Sequence, residues 1–439
     1  MKIVEYTLGL PPYRRGGLPR YSTDLSKELA KKNNDVYLMY PGEINPFSKQ
    51  VKIKNKCTSY PFHVIELKNM LPVSLGLGIS DSNKFDEFRD ISELITFIDK
   101  LDPHVVHFHT LMGVPKEFLE YLRQKQIKTV LTTHDFYGLC PKVLEKNPLK
   151  SLTNTQCTDD CMLCKMGPSY MKLLVMQSHL YEHFKESNLI KKLRQQNKDS
   201  INSNSLDDQF KFSIEQANDR LRLRQYYLDV YSLIDEFHFN SSISKNYFKR
   251  FMPNINGKVI PITHAGLLDQ RENRKYKKHD NLVIGYVGPY DHKKGFFRMQ
   301  NIYKRLDGVA MDFYGDIVTS DFFKQSRVTN HGIVSSSELT EAYKKMDVLI
   351  VPSVWHETFG FVVLEALLSG TPCLVSDRVG SKDLVPQNWV FSTDNELIDK
   401  LNLIKKNIDT FRLVTRKLPL CFNMSEHVNI IKQMFYKEE

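Results

Sequence analysis

No stretch of this chain approaches the roughly 18 consecutive apolar residues that a membrane-crossing helix needs. Residues 1–10, interrupted by Glu5, are too short for a secretory signal. The expected compartment is therefore the cytoplasm. Cysteine is sparse, seven in 439 residues, and that odd count argues against a disulfide framework and for reduced thiols or a metal. No segment interleaves basic and aromatic residues along one face, so the formal net charge of +10 does not by itself point to nucleic acid. Such a charge attracts phosphates, nucleic acid or an acidic membrane surface alike, and a Lys- and Asn-rich genome bias accounts for it equally well.

The length exceeds one ordinary core and fits two domains of about 150–250 residues each. Residues 346–383, MDVLIVPSVWHETFGFVVLEALLSGTPCLVSDRVGSKD, hold the densest signal. Within them 348–351 and 372–376 are short apolar runs, expected as buried parallel strands. Between the runs, 360–369 is apolar around nearly its whole circumference and stops at Gly370 and Pro372, which predicts a short buried helix. Glu357 precedes that helix and Glu365 lies about two turns further on, roughly 12 Å away if all between were helical. Carboxylates in such a place need partners. The amides of Thr358, Phe359, Gly360, Phe361 and Val362 would be donors at the positive end of the helix dipole, a seat for a diphosphate. The acids on either side could accept hydrogen bonds from sugar or ribose hydroxyls. The plainer alternative is one Glu capping its own helix and the other paired with an arginine.

Taken together, Pro352-Ser353, Glu357-Thr358-Phe359-Gly360, Glu365-Ala366 and Ser369-Gly370-Thr371-Pro372 resemble the glutamate-x7-glutamate signature of the retaining nucleotide-sugar glycosyltransferases of family 4. The resemblance implies an α/β chain of the GT-B fold, two Rossmann-like domains facing each other across a cleft. It also implies that Glu357 lies beside the donor sugar and Glu365 on the nucleotide ribose. The domains would be 1–253, binding the acceptor, and 258–423, binding the nucleotide sugar, with the helix 424–439 packing back on the first.

The chain opens with a strand (2–6), a glycine loop (11–17), a helix (21–31) and a strand (35–40), a βαβ start. By the resemblance Gly16 and Gly17 flank the donor phosphates and the acceptor. Residues 103–109 form a strand with a histidine-rich end, whose spacing sends His107 and His109 to one face and His104 to the other, a poor arrangement for a metal. A further strand, 129–133, closes on His134, which by the resemblance sits near the donor sugar at the cleft. Cys140, Cys157, Cys161 and Cys164 follow. They read either as a tetrahedral structural zinc or as four reduced thiols packed as small apolar residues.

Residues 171–193 and 206–233 are expected to be helical, with Arg220, Arg222 and Arg224 on the solvated side of the second. A strand at 237–241 and a linker at 251–257 end the first domain, and the second opens at Lys258. Its run 282–288 ends in Gly288 and is followed by Lys293, Lys294 and Gly295, the backbone approach and point charge that a diphosphate needs. In the family an Arg commonly follows that glycine. Here Pro289 replaces it, leaving Lys294 as the phosphate cation. Residues 331–334 are expected as a strand, and the resemblance places Val334 beside the base.

The activity implied is that of a metal-independent retaining glycosyltransferase, using a UDP- or GDP-sugar and a glycan or lipid-linked glycan acceptor in bacterial cell-surface polysaccharide or glycolipid assembly. Peripheral contact with the inner face of the membrane is expected, and no nucleic-acid partner. The chain has no Asp-x-Asp, which suits stabilisation of the leaving diphosphate by Lys294 and helix-end amides instead of a divalent ion. Two rivals remain. A nucleotide-sugar epimerase of the same fold would need no acceptor, and a basic nucleic-acid-binding module would show steep salt dependence.

Overall fold

The structure, a computed structural model, describes residues 1–14, 16–74, 78–139, 167–184, 213–277, 279–318 and 320–437. The expected zinc ligands Cys140, Cys157, Cys161 and Cys164 lie outside the described residues. Contacts divide the chain into two units: Met1–Asn240 with Ser244–Ile260 and Met424–Glu439, and Ser241–Ile243 with Pro261–Asn423.

The first unit is built on strands β1 (Lys2–Tyr6), β2 (Asp35–Pro41), β3 (Lys52–Lys56), β4 (His63–Lys68), β5 (Val105–Phe108), β6 (Lys128–Thr132), β7 (Glu236–Phe239) and β8 (Gly257–Val259), in the order β3-β4-β2-β1-β5-β6-β7-β8. All neighbours are parallel except β3, antiparallel to β4. The polar KIKNK of β3 suits this exposed edge, where lysines discourage further pairing. β1 and β5 are buried almost throughout, as central strands with both faces covered must be. The sheet winds in opposite directions from β1, which places a topological switch point between β1 and β5.

The core of this unit is polar at its centre. Glu5, His107, His109, His238 and His427 are all fully buried. Glu5 Oε2 lies 2.6 Å from His109 Nε2, and its Oε1 3.0 Å from the Tyr436 hydroxyl. That hydroxyl is 2.6 Å from His107 Nδ1, whose Nε2 is 2.7 Å from the Thr132 hydroxyl. Thr132 in turn meets His238 Nδ1 at 2.8 Å, and His238 Nε2 lies 2.8 Å from the Ile260 carbonyl. The C-terminal segment, a helix Met424–Ile431 and a wider turn Lys432–Tyr436, supplies Tyr436 to this series and His427 to the Tyr21 hydroxyl at 2.8 Å. Val428 and Ile431 of that helix are fully buried as well. Buried imidazoles shed protons: burial holds His107 well below the usual value and brings His238 to about 3 and His427 to about 4. The same burial raises Glu5.

Several elements differ from the sequence reading. In place of one helix over 171–193, the described residues hold two short ones, Tyr170–Met176 and His179–Phe184. Gln177 between them is buried and accepts from the Val73 amide, so the chain bends where its side chain turns inward. The next helix, Ile214–Ser232, begins at a capping box made by Ser213 and Gln216. Its Arg220 is not solvated: the side chain is 1% exposed and donates to the Ile79 and Gln216 carbonyls. The strand at 257–259, expected to open the second domain, pairs with β7 as the last strand of the first sheet.

The second unit holds β9 (Leu282–Val287), β10 (Val309–Tyr314), β11 (Val328–Asn330), β12 (Val348–Val351), β13 (Cys373–Ser376) and β14 (Val390–Phe391), all parallel, in the order β11-β10-β9-β12-β13-β14. Helices Phe296–Tyr303, Ser336–Lys345, Phe361–Leu368 and Asp394–Lys417 connect or flank the strands. Residues 331–334 are a loop, not a strand. β11 ends at Asn330, and Gly332, at φ +70°, turns the chain away. The switch point lies between β9 and β12, so the loops after these two strands form the natural seat for a ligand.

Candidate functional site

Backbone packs directly on backbone where those two loops meet. Gly295 (φ +79°) lies so close to β12 that a Cβ there would come within 2.2 Å of the Pro352 carbonyl oxygen. The Val354 amide bonds the Lys293 carbonyl at 3.0 Å, and Asp291 caps the Lys294 amide at 2.8 Å. The loop after β9 is thereby fixed against the loop after β12, and Lys294 Nζ comes 2.8 Å from Glu357 Oε2. The Ser353 hydroxyl donates to the other Glu357 oxygen, Oε1. The backbone of Glu357 is held as well, its amide on the Arg378 carbonyl and its carbonyl on the Gly380 amide, both at 2.9 Å.

The helix Phe361–Leu368 begins just beyond. Its N-cap is Gly360, at φ +104°, and no side chain caps the helix. A Cβ at Gly360 would also press on Val379 at 3.1 Å, so glycine brings the helix start close to the 378–381 loop while leaving its first amides unmasked. About one turn in, Glu365 keeps 18% of its side chain exposed. His264 Nε2 lies 3.0 Å from its Oε1, and the Tyr343 hydroxyl donates to its Oε2 at 2.9 Å.

Lys294, Glu357, the 358–362 helix start, Glu365 and Gly288 therefore gather in the second unit around the ends of β9 and β12. Val334 is half-buried against that unit's core. Gly16, Gly17 and His134 belong to the first unit. Gly16, at φ +128° with open space around it, is the N-cap of the helix Gly17–Lys31. His134 is half-buried after β6, its ring 4.9 Å from that of Tyr21 and 5.6 Å from that of His109. Burial, then the neighbouring His109, His238 and His427, hold it well below the usual histidine range, so it is neutral at physiological pH. Ser353, His264 and Tyr343 went unassigned in the sequence. Ser353 stood inside the motif without a role, and His264 is 101 residues from its partner Glu365, a separation that no local spacing reveals. Among the described residues no helix is long and apolar enough to cross a membrane.

Two family profiles match the chain, "Glycosyltransferase Family 4" over residues 15–155 and "Glycosyl transferases group 1" over residues 269–407. Together they take in more than half of it. An uncharacterized 41.2 kDa protein from the cps region of Klebsiella pneumoniae is 34% identical over 118 residues, 26% of this chain and 32% of that protein. A GDP-mannose-dependent alpha-mannosyltransferase of Mycobacterium tuberculosis is 30% identical over 139 residues, 31% of this chain and 33% of the relative. The chain thus matches about a third of the length of these curated relatives. Among solved structures, the sucrose-phosphate synthase of Thermosynechococcus elongatus aligns over 99% of this chain and 96% of its own, with a TM-score of 0.54 at 14% identity, a likeness of fold alone. The two matching profiles place the chain in glycosyltransferase family 4, and its two α/β units with this full-length likeness give it the GT-B fold.

Proposed function

We propose that the protein transfers a sugar from a UDP- or GDP-sugar to a hydroxyl of a glycan or lipid-linked glycan acceptor, retaining the anomeric configuration and using no catalytic metal. The observation that carries this reading is the grouping of Lys294, Glu357 and Ser353 at an uncapped helix start. Cleavage of the bond to the leaving diphosphate develops negative charge on its oxygens and positive charge on the sugar, and rate is gained where those charges are bound better in the transition state. Lys294 and the first amides of Phe361–Leu368 serve the phosphate. Glu357, its carboxylate oriented by Ser353, positions the sugar hydroxyls and faces the positive side. Gly288 lets backbone approach the phosphates, Val334 borders the base and Glu365 accepts from the ribose.

The first unit takes the acceptor, with Gly16 and Gly17 in its ligand loop and the neutral His134 hydrogen-bonding the sugar. The GDP-mannose dependence of the mycobacterial relative supports a nucleotide-sugar donor, and the cps-region origin of the other relative supports a role in surface-polysaccharide assembly. A screen of UDP- and GDP-sugars for thermal stabilisation, followed by transfer assays in excess chelator and by NMR of the product anomer, tests the proposal. Retained transfer in chelator is expected. Loss that only added magnesium or manganese restores would overturn metal independence, and interconversion of the donor sugar without an acceptor would mark an epimerase instead.

A further inference from the structure

Two donors reach Glu365 from within the second unit, one on each carboxylate oxygen. His264 is 2% exposed and cannot swing away without loss, because its Nδ1 also lies 2.9 Å from the Ala265 carbonyl and the Phe361 ring packs edge-on at 5.1 Å and 78°. Tyr343 is 1% exposed. Burial, then the charge of Glu365, push its phenol well above the usual range, so it stays a donor at any working pH. Its backbone is fixed in turn, since the Tyr343 carbonyl accepts from the Thr371 hydroxyl at 2.6 Å and from Arg274 at 3.3 Å.

A carboxylate oxygen has two lone pairs. The hydrogen bonds to His264 and Tyr343, one on each Glu365 oxygen, set the plane of the carboxylate. A pair of vicinal hydroxyls presents two donors at fixed separation, and a freely rotating Glu side chain meets both only part of the time. We propose that His264 and Tyr343 are positioning residues: they hold the Glu365 carboxylate in the orientation that recognises both ribose hydroxyls of a nucleoside diphosphate. The inference rests on the reading that Glu365 contacts the ribose, and it adds the source of the selectivity for ribose over deoxyribose. Neither residue touches the nucleotide. Each acts through the carboxylate, so its loss should erase a difference between ligands and not binding as a whole.

Calorimetry with UDP and dUDP, and with GDP and dGDP, tests this on the full chain. Wild type is expected to prefer the ribonucleotide by about tenfold, the size of one hydrogen bond to a charged group. Tyr343→Phe, which removes one oxygen and leaves the ring, and His264→Leu should each shrink that preference to about twofold while the deoxynucleotide affinity stays at the wild-type value. His264→Gln, which restores an N–H donor, should recover part of it. If wild type binds both sugars equally, Glu365 does not read the ribose and the nucleotide-site reading falls with the inference. If wild type discriminates and both Tyr343→Phe and His264→Leu discriminate as well as wild type, Glu365 reads the ribose unaided and only the positioning role is overturned.

Discussion

Each unit contains a glutamate held by one histidine and one tyrosine, and the two triplets live in different surroundings. In the first unit Glu5 is bound by His109 at 2.6 Å and Tyr436 at 3.0 Å, with every member buried. In the second, Glu365 is bound by His264 at 3.0 Å and Tyr343 at 2.9 Å, but its side chain stays partly exposed. The same residue types give two outcomes. Sealed from water, a polar cluster contributes only by being fully satisfied, and burial raises Glu5 out of the ordinary carboxylate range. Partly exposed, the same arrangement suits the proposed role of Glu365 as a prearranged acceptor for the ribose.

Acid should separate the two regions most. His107, His134, His238 and His427 all have folded pKa values below the unfolded value of about 6.5. The stability associated with keeping them neutral is present above that pH and is lost as pH falls through the window down to about 4, by up to about 1.4 kcal/mol per pH unit for each. Glu5, raised, acts with the opposite sign but is one group against four. Hydrogen exchange along a pH series should show β1, β5 and β6 losing protection before β9, β12 and β13. Simultaneous loss in both sheets would mean that the histidine core is not the weak point.

Glu5→Ala comes next. It leaves His109 and Tyr436 without their partner in a dry core, and denaturant unfolding should show a loss of about 3 kcal/mol, with UDP or GDP affinity unchanged. Glu357→Gln should do the reverse, lowering turnover about a hundredfold, or about 2.7 kcal/mol of transition-state stabilisation, while stability moves by less than about 0.5 kcal/mol. Glu365→Ala lies between the two. Nucleoside diphosphate affinity should fall about tenfold, and stability by only about 1 kcal/mol for the lost acceptor of His264. A stability loss as large as that of Glu5→Ala would erase the distinction between sealed and open triplets.

The second unit was largely legible in the sequence because its signals are local. A buried strand, a glycine-started helix and another buried strand follow one another within 29 residues, from Val348 to Ser376, and Glu357 and Glu365 fall inside that span. The first unit hides its chemistry in long-range contacts. His107 meets Tyr436 across 329 positions and Tyr21 meets His427 across 406. Strand alternation therefore showed only that His107 and His109 share a face, not what the face packs on. Arg220 was misjudged for a similar reason: amphipathic spacing treats arginine as surface, whereas a planar donor fork buries readily when carbonyls such as that of Ile79 face it. The hairpin of β3 and β4 escaped notice because KIKNK has no apolar alternation, and its pairing is set by β4. His264 and Tyr343 gave no signal near Glu365 in the chain.

Five hydrogen bonds link Glu5, Tyr436, His107, Thr132, His238 and the Ile260 carbonyl in series, and each needs one hydrogen. In their neutral forms Tyr436, His107, Thr132 and His238 bring one apiece, and the carbonyl brings none. The fifth sits on Glu5, whose pKa burial raises, because the same burial disfavours a charged imidazole. The first unit thus folds with a proton that Glu5 in the unfolded chain has already released near neutrality. Above about pH 7.5, where unfolded histidines are themselves neutral, refolding should draw about one proton per chain from the buffer. The heat of refolding would then depend on the ionisation enthalpy of whichever buffer supplies it.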